Sequence, residues 1–343
     1  MRFHAAVLRE PGKPLTLEEL QVPKLRPGQV LVKLGRSGIC AAQLAEAGGG
    51  AGSPGELPRL LGHEGTGWVH DLGAGIKHVN SGDHVVLHWR PGRGAAAEPA
   101  RYRARGLGTV YAGPVSTFGE YAVVSADRVT AIPPDFDPDF GALMGCAVTT
   151  GLGIVNNNAK VRFGESVVVR DASGIGLSVV QGAALASAGC IVAVDAFEPT
   201  LALARKLGAT HAVNERKEKL PQAVLAIVGP GGADVVVGDA GGADAAARCC
   251  ELARPGGRVV LVGVSPRDSR PFPPRGPRKT LSVSQGGESR PDQDIPRYVA
   301  LHRMGKLPLS GLVTARYRLE KINEALSDLR DGKIAGRCLL LFQ

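Results

Sequence analysis

Two cysteines and one histidine are the residues of this chain whose types best match a metal site. Cys40 and Cys146 each stand among small neighbours, and His63 lies in a glycine-rich run, directly before Glu64. One imidazole and two thiolates form a ligand set that holds zinc with a fourth position open for chemistry. A lone buried cysteine is more often a small apolar residue, so each ligand alone is weak evidence. Together they predict a catalytic zinc site with Glu64 beside it.

A second stretch has the pattern of a βαβ unit that binds a dinucleotide. The run Glu165–Arg170 is short, apolar and β-branched, which is typical of a parallel strand covered on both faces. Residues 177–188 have helical composition, and Cys190–Asp195 is a second apolar run that ends in an acid. Asp195 stands about 20 residues beyond the turn, the spacing at which a carboxylate meets the adenosine ribose of NAD.

The turn between the first strand and the helix would meet the phosphates of that cofactor. Small residues there let a phosphate approach the exposed N–H groups of the helix start. The predicted contacts in this turn are Asp171, Ser173, Gly174, Ile175 and Gly176. Only the last of the three fingerprint positions is glycine, since the first two are Asp171 and Ser173. A doubly wound domain that binds no dinucleotide therefore stays open as an alternative.

These two stretches must be positioned by different kinds of domain. Residues 1–148 show short strands and glycine turns at even spacing, which predicts a small β-rich domain. Residues 149–288 alternate strands with helices, which predicts a parallel sheet. Residues 289–343 add two helices and a last strand. The predicted fold class is α/β, with a β-rich domain joined to a doubly wound one.

Length, charge and composition exclude several other functions. A chain of 343 residues suits two domains, and its 44% hydrophobic and 21% charged content is ordinary globular usage. The net charge of +9 is dispersed and aromatic residues are only 4%, which disfavours nucleic-acid binding. Two basic clusters, Arg90–Arg105 and Arg267–Lys279, lie in Pro/Gly-rich loops; solvated loops or a site for an anionic substrate group would explain them. Without a long apolar run, we expect a cytoplasmic protein that does not bind a membrane.

Several motifs together resemble the zinc-dependent alcohol dehydrogenases of the medium-chain dehydrogenase/reductase family, over nearly the whole chain. The signatures that carry the resemblance are Gly38–Cys40, Gly62–Gly67, Gly82–Val86, Thr117–Tyr121, Gly145–Gly151, the βαβ unit, Gly256–Gly263 and the Gly332–Arg337 ending. The resemblance implies a GroES-like catalytic domain completed by residues 289–343, a Rossmann domain that binds NAD, and an active site in the cleft between them. It also implies a homodimer or homotetramer.

The resemblance assigns a role to individual positions. Cys40, His63 and Cys146 match the catalytic zinc ligands, and Glu64 matches a carboxylate that lies against the metal and can exchange onto it. The positions that match cofactor contacts are Thr150 at the nicotinamide, Arg337 at the pyrophosphate and Asp195 at the ribose. Trp89 and Phe118 fall where the family places bulky residues lining the substrate pocket, although ordinary core packing would explain them equally well.

The chain also departs from the family pattern. A lobe that often carries four cysteines on a structural zinc reads Arg93, Ala96, Pro99 and Leu107 here, so we expect one catalytic zinc and no structural zinc.

The proton relay is altered as well. The Ser or Thr that would pass the proton of the alcohol outward is Ala42, the next position, usually Asp, is Gln43, and the outer histidine is Ala45. Water at the metal, a second hydroxyl of a polyol substrate, or another titratable group could carry the proton. Among nearby groups we favour His88, because imidazole titrates near neutral pH.

The sequence thus predicts a zinc-dependent, NAD-dependent oxidoreductase acting on a small alcohol or carbonyl compound, such as a polyol or an anionic alcohol. Two alternatives stay open. One is a zinc-free reductase of the quinone or enoyl type on the same scaffold, and the other is a catalytically silent binding protein that has kept it.

Overall fold

The computed structural model describes residues 1–49, 56–241, 243–263 and 279–342. These residues form two compact units. Unit 1 comprises Met1–Cys146, Arg290–Arg303 and Val313–Gln343, and unit 2 comprises Ala147–Ser289 and Met304–Leu312. The predicted boundary at residues 148/149 lies two residues from the first division, whereas the grouping of Met304–Leu312 with unit 2 differs from the prediction. Of the basic cluster predicted at Arg267–Lys279, only Lys279 is among the described residues.

The strands of the described residues are, in chain order, β1 (Arg2–Leu8), β2 (Thr16–Gln21), β3 (Gln29–Ile39), β4 (Arg59–Leu60), β5 (Glu64–Leu72), β6 (His84–His88), β7 (Arg101–Ala104), β8 (Gly108–Tyr111), β9 (Tyr121–Ser125), β10 (Val129–Ala131), β11 (Ser166–Arg170), β12 (Cys190–Asp195), β13 (His211–Asn214), β14 (Ala233–Asp239), β15 (Ala253–Val262), β16 (Thr280–Ser284), β17 (Val313–Arg318) and β18 (Arg337–Leu341). The α-helices are α1 (Ala41–Ala47), α2 (Pro138–Met144), α3 (Ala147–Gly153), α4 (Ile175–Leu185), α5 (Glu198–Lys206), α6 (Leu220–Val228), α7 (Ala243–Leu252), α8 (Pro291–Arg303) and α9 (Ile322–Arg330).

Unit 1 is built from a closed barrel and a larger sheet. The barrel runs β1-β2-β7-β8-β4, and the sheet runs β10-β6-β5-β3-β18-β17, with β9 also paired to β3. Alternate apolar residues of β3, β5, β6 and β18 face one buried core, which α9 covers with Ile322, Ala325 and Leu326. The alternation places hydrophobic residues inside at a period of two, as expected for strands with one buried face.

Unit 2 is a doubly wound parallel sheet. Its six strands run β13-β12-β11-β14-β15-β16, and every pairing in it is parallel. Val167, Val168 and Val169 of β11 are fully buried, because α-helices of the crossover connections lie on both faces of such a sheet. The strand order places β11 and β14 side by side, so the chain reverses its winding direction there. Ligands of open parallel sheets bind at such a reversal. The predicted α/β class, with a β-rich domain and a doubly wound domain, is confirmed.

Among the described residues, no single helix has both the length and the apolar composition needed to cross a membrane. Within the described ranges, one pair of consecutive helical segments, Pro138–Met144 and Ala147–Asn158, meets that test when the two are taken together.

Candidate zinc and dinucleotide sites

Unit 1 brings the three predicted metal ligands to one place. Cys40 follows β3 and forms the N-cap of α1, His63 directly precedes β5, and Cys146 lies between α2 and α3. The ligand atoms of these three residues all lie within 4.8 Å of one another. Zinc binds thiolates at about 2.3 Å and imidazole at about 2.0 Å, so one ion could reach all three with small side-chain shifts.

The imidazole of His63 has one engaged nitrogen and one free one. Nδ1 lies 2.5 Å from Nε2 of Gln43. The other ring nitrogen, Nε2, is buried and has no hydrogen-bond partner among the described residues. A buried polar atom without a partner is costly, and such atoms often belong to a ligand site. The donor set of Cys40, His63 and Cys146 therefore fits a zinc ion, with Nε2 as the ligand atom of the histidine.

The two thiols form a coupled pair. A hydrogen bond with Cys146 holds the pKa of Cys40 well below its ordinary value, although burial opposes this shift; His63 and the positive charge of Arg337 act in the same direction as the hydrogen bond. The same pairing raises the pKa of Cys146. A thiolate is the form that binds metal, so the site already favours one negative sulfur.

Glu64 is fully buried beside these ligands and is paired with Arg337. A guanidinium nitrogen of Arg337 donates to Oε1 of Glu64, and both side chains are at most 4% exposed. Gly38 makes room for the carboxylate, because a Cβ at that position would lie 2.4 Å from Oε1 of Glu64. The guanidinium of Arg337 neutralises Glu64, since a buried carboxylate without a counter-charge would be strongly disfavoured. The predicted contact of Arg337 with a pyrophosphate stays a prediction.

His88 has a structural environment that differs from the one expected of a proton carrier. Nδ1 lies 2.7 Å from the carbonyl of Arg90, and Nε2 lies 2.9 Å from the hydroxyl of Thr130 on the neighbouring strand β10. Burial lowers the pKa of His88 to about 4. Both ring nitrogens are thus engaged in contacts that tie β6 to its surroundings, and the ring is neutral at pH 7. This geometry favours a structural role over the predicted relay.

The three predicted pocket residues have different surroundings. Ala42 is exposed on α1. Trp89 is 36% exposed, with the Arg90 guanidinium 5.9 Å from its ring centroid. Phe118 is 1% exposed and belongs to the apolar core of unit 1. The structure thus gives Phe118 a packing role, whereas Trp89 and Ala42 have surface that a substrate could reach.

The lobe without cysteines is held by hydrogen bonds. The guanidinium of Arg26 donates to the carbonyls of Glu98 and Pro99 at 3.2 and 3.1 Å, and the amide of Gln29 donates to the carbonyl of Glu98 at 2.9 Å. These contacts fix the segment that leads into β7. They join the lobe to Arg26 and to the first residue of β3, Gln29. The absence of a structural zinc stays a prediction.

The predicted phosphate-binding turn of unit 2 has a tight backbone conformation, although two of its three fingerprint residues are not glycine. Asp171 has a φ of 56°, in the left-handed region that Asp tolerates better than most residues. The hydroxyl of Ser173 donates to Oδ1 of Asp171 at 2.6 Å and closes the turn. Gly176 is required, since a Cβ there would lie 2.1 Å from the carbonyl oxygen of Asp171. Gly174 forms the N-cap of α4, and Ile175 is the first residue of that helix.

The acid predicted at the ribose lies at the end of β12. Oδ1 of Asp195 accepts a hydrogen bond from the N–H of Phe197 at 2.9 Å. Burial raises the pKa of Asp195 to about 6, and the charge of Asp171 acts in the same direction. The guanidinium of Arg216, from the segment after β13, lies 4.7 Å from the ring centroid of Phe197. The residues that directly follow Asp195 in the sequence include no cation, so the cation Arg216 could be identified only from the fold.

Thr150 lies on α3 in unit 2 and is 3% exposed. Its backbone is closely covered, because a Cβ on Gly287 would lie 2.5 Å from the carbonyl oxygen of Thr150. Its assignment to the nicotinamide stays a prediction.

Comparisons with known proteins cover both units. Residues 26–134 match the family described as alcohol dehydrogenase GroES-like domain, and residues 174–301 match the family described as zinc-binding dehydrogenase. The S-(hydroxymethyl)glutathione dehydrogenases of Synechocystis sp. and of Photobacterium damsela subsp. piscicida are each 34% identical to this chain, over 97% of it and 98% of their own length.

Solved structures give the same result. Benzyl alcohol dehydrogenase from Acinetobacter calcoaceticus superposes with a TM-score of 0.89 at 26% identity, over all of both chains. An alcohol dehydrogenase zinc-binding domain protein from Burkholderia ambifaria has a TM-score of 0.89 at 28% identity, over all of this chain and 99% of its own. This chain belongs to the zinc-dependent alcohol dehydrogenases of the medium-chain dehydrogenase/reductase family.

Proposed function

We propose that this protein is an NAD-dependent, zinc-dependent alcohol dehydrogenase that interconverts an alcohol and a carbonyl compound. One observation carries the proposal: Cys40, His63 and Cys146 offer three ligand atoms within 4.8 Å, and Nε2 of His63 is buried without a partner among the described residues. That donor set is one of those that hold a catalytic zinc with an open position.

Each ligand residue has a distinct task. Cys40 and Cys146 supply thiolates, and His63 supplies the neutral nitrogen. When bound, zinc polarises the substrate oxygen and NAD exchanges a hydride with the substrate carbon. Glu64 places a carboxylate next to the ligands, and Arg337 offsets its charge, so the buried site does not accumulate excess negative charge.

Cofactor binding is proposed to use the turn and the acid of unit 2. The backbone of Gly174 to Gly176 would face the pyrophosphate at the start of α4, where N–H groups are exposed. Asp195 would accept hydrogen bonds from the ribose hydroxyls and repel a 2′-phosphate, which favours NAD over NADP. Thr150 is proposed to contact the nicotinamide.

The proton released on alcohol oxidation needs a route that this chain does not supply through position 42. The methyl group of Ala42 cannot carry a proton, and both nitrogens of His88 are engaged elsewhere. We therefore propose that solvent or a second hydroxyl of the substrate accepts the proton. Such a route favours substrates whose reacting oxygen stays close to water.

The relatives suggest which substrates to test first. S-(hydroxymethyl)glutathione heads the panel because of the 34% identical dehydrogenases named for it, and benzyl alcohol follows. Arg90 beside Trp89 would suit the anionic groups of the first compound. Polyols complete the panel. We also propose that the protein assembles as a homodimer or homotetramer, which analytical ultracentrifugation would establish.

The experiment is a turnover assay on purified, zinc-loaded protein with NAD, following NADH absorbance across this panel. We expect turnover on at least one primary alcohol and its loss in the chelated protein. Turnover that survives complete zinc removal would indicate the zinc-free reductase instead. NADH binding with no turnover on any alcohol would indicate a silent scaffold.

A further inference from the structure

Gln43 links two of the zinc ligands through its side-chain amide. It stands in the first turn of α1 and is fully buried. Its Oε1 accepts a hydrogen bond from the backbone N–H of Cys40 at 2.9 Å. Its Nε2 lies 2.5 Å from Nδ1 of His63. A residue three positions after an N-cap commonly makes this contact to the N-cap N–H, so this hydrogen bond stabilises the orientation of the Gln43 side chain.

The orientation of this amide follows from its partner. A backbone N–H can only donate, so the amide oxygen must face Cys40 and the amide nitrogen must face His63. An amide nitrogen can itself only donate. Nδ1 of His63 must therefore accept, and in a neutral imidazole the single proton then resides on Nε2.

That tautomer opposes metal binding. Nε2 is the ring nitrogen that faces no hydrogen-bond partner among the described residues, and a metal needs its lone pair free. If the proton moved to Nδ1, the Nδ1–H of His63 would face the NH₂ group of Gln43, and two donors cannot form a hydrogen bond with each other. Flipping the amide would only transfer the conflict to the N–H of Cys40. The amide of Gln43 has one acceptor atom, Oε1. When the metal is bound, both the N–H of Cys40 and Nδ1–H of His63 would need an acceptor.

We propose that Gln43 is a positioning residue that holds His63 in the Nε2–H tautomer and thereby weakens zinc binding. The inference rests on the proposed zinc site. A carboxylate of the same length would accept from Cys40 N–H and His63 Nδ1–H at once, which is the arrangement that raises the basicity of a ligating histidine. Gln43→Glu should therefore bind zinc about 10- to 100-fold more tightly than the unmodified chain.

Two measurements test this, and the first needs no variant. ¹⁵N NMR of the zinc-free protein labelled at histidine reports the tautomer of His63, assigned by its loss in His63→Gln. We expect the proton on Nε2 in the unmodified chain and on Nδ1 in Gln43→Glu. The second measurement is zinc affinity by competition with a chromophoric chelator. Ala45→Glu adds the same charge to an exposed position of the same helix and should change the affinity by less than about threefold, since an exposed charge is screened.

The outcomes separate this inference from the proposed function. A proton on Nδ1 in the unmodified zinc-free protein would overturn the inference, as would equal zinc affinity of Gln43→Glu and the unmodified chain. An equal gain in Ala45→Glu would also overturn it, because charge alone would then explain the effect. If no variant binds zinc, the proposed zinc site fails, while the tautomer still decides the role of Gln43.

Discussion

The zinc-ligand site of unit 1 and the phosphate-binding turn of unit 2 both depart from the family pattern, but the departures concern different kinds of residue. At the ligand site all three donors are present, and the departure, Gln43, lies behind one of them. At the turn the last fingerprint glycine, Gly176, is present, and the departures are the side chains of Asp171 and Ser173. The first change acts through a buried hydrogen bond, and the second acts through charge near solvent.

This difference sets the expected size of effects in the two regions. Buried contacts to a ligand have no water to replace them, so their loss is costly. The Asp171 side chain is exposed, and its charge is screened by water and salt. Changes at the ligand site should therefore have large effects on metal binding and turnover, whereas changes at the turn should alter cofactor affinity by modest factors.

Removing a ligand should have the largest effect. Cys146→Ala leaves two protein ligands, and we expect turnover to fall by at least roughly 10³-fold, a barrier change of about 4 kcal/mol. Zinc content should fall with it while NADH affinity stays unchanged. Cys190→Ala, a half-buried cysteine on β12, is the matched control and should keep full zinc content and turnover. A metal-replete, active Cys146→Ala would remove this cysteine from the site.

The preference for NAD over NADP should be the next largest effect. Placing a 2′-phosphate about 4 Å from the Asp195 carboxylate costs roughly 1 to 4 kcal/mol, so NADH should bind at least about fivefold more tightly than NADPH. Asp195→Ser should reduce the ratio of NADH affinity to NADPH affinity. Arg216 is the nearby cation that could work against the preference, and Arg216→Ala in the Asp195→Ser background should weaken NADPH binding alone. Calorimetric titration of both reduced cofactors measures this, and a preference for NADPH in the unmodified chain would refute the assignment.

NADH affinity should depend on pH through the same carboxylate. Burial raises the pKa of Asp195 to about 6, so the group is mostly protonated at pH 5 and mostly ionised at pH 7. Only the ionised form accepts from both ribose hydroxyls, so affinity should rise as pH rises through 6, by up to about tenfold over these two pH units. Asp195→Asn should bind weakly with no such rise. A flat profile in the unmodified chain would show that Asp195 does not contact the ribose.

Restoring glycine at the turn should have the smallest effect. Asp171→Gly removes a negative charge from the expected path of the pyrophosphate, and about 1 kcal/mol at solvent exposure corresponds to roughly fivefold tighter NADH binding. Because glycine adopts a φ of 56° readily, the backbone conformation at position 171 should be kept, although the hydroxyl of Ser173 loses its acceptor. Raising the salt concentration should shrink the difference between the two proteins. Weaker NADH binding by Asp171→Gly would mean that the carboxylate contacts the cofactor favourably.

The sequence was sufficient for the ligand atoms and the fold class, because both rest on residue type and local pattern. Cys40, His63 and Cys146 could be predicted as a set, and the alternation of strands and helices after residue 149 predicted the parallel sheet. What it could not supply were contacts between residues distant in sequence. The pairing of Arg337 with Glu64 joins positions 273 residues apart, so the sequence could not predict that this guanidinium lies beside Glu64.

His88 and Phe118 illustrate the same limit. The type of His88 and its position at a strand end suggested a relay, and the family resemblance placed Phe118 in the wall of the substrate pocket. The pairing of β10 with β6 brings Thr130 to the ring of His88, and the packing of several strands encloses Phe118. The sequence around one strand does not indicate which other strand will pair with it in the sheet. Gln43 was noticed as a departure from the family, but its effect on His63 depends on a contact across 20 positions.

The central claim is a single catalytic zinc at Cys40, His63 and Cys146. Elemental analysis of protein purified without chelator tests it most directly, with Cys146→Ala measured in parallel. We expect one zinc per chain in the unmodified protein and a loss of that zinc in the variant, because the lobe from Arg93 to Leu107 contains no cysteine to hold a second ion. Two zincs per chain, no zinc, or full zinc content in Cys146→Ala would contradict it.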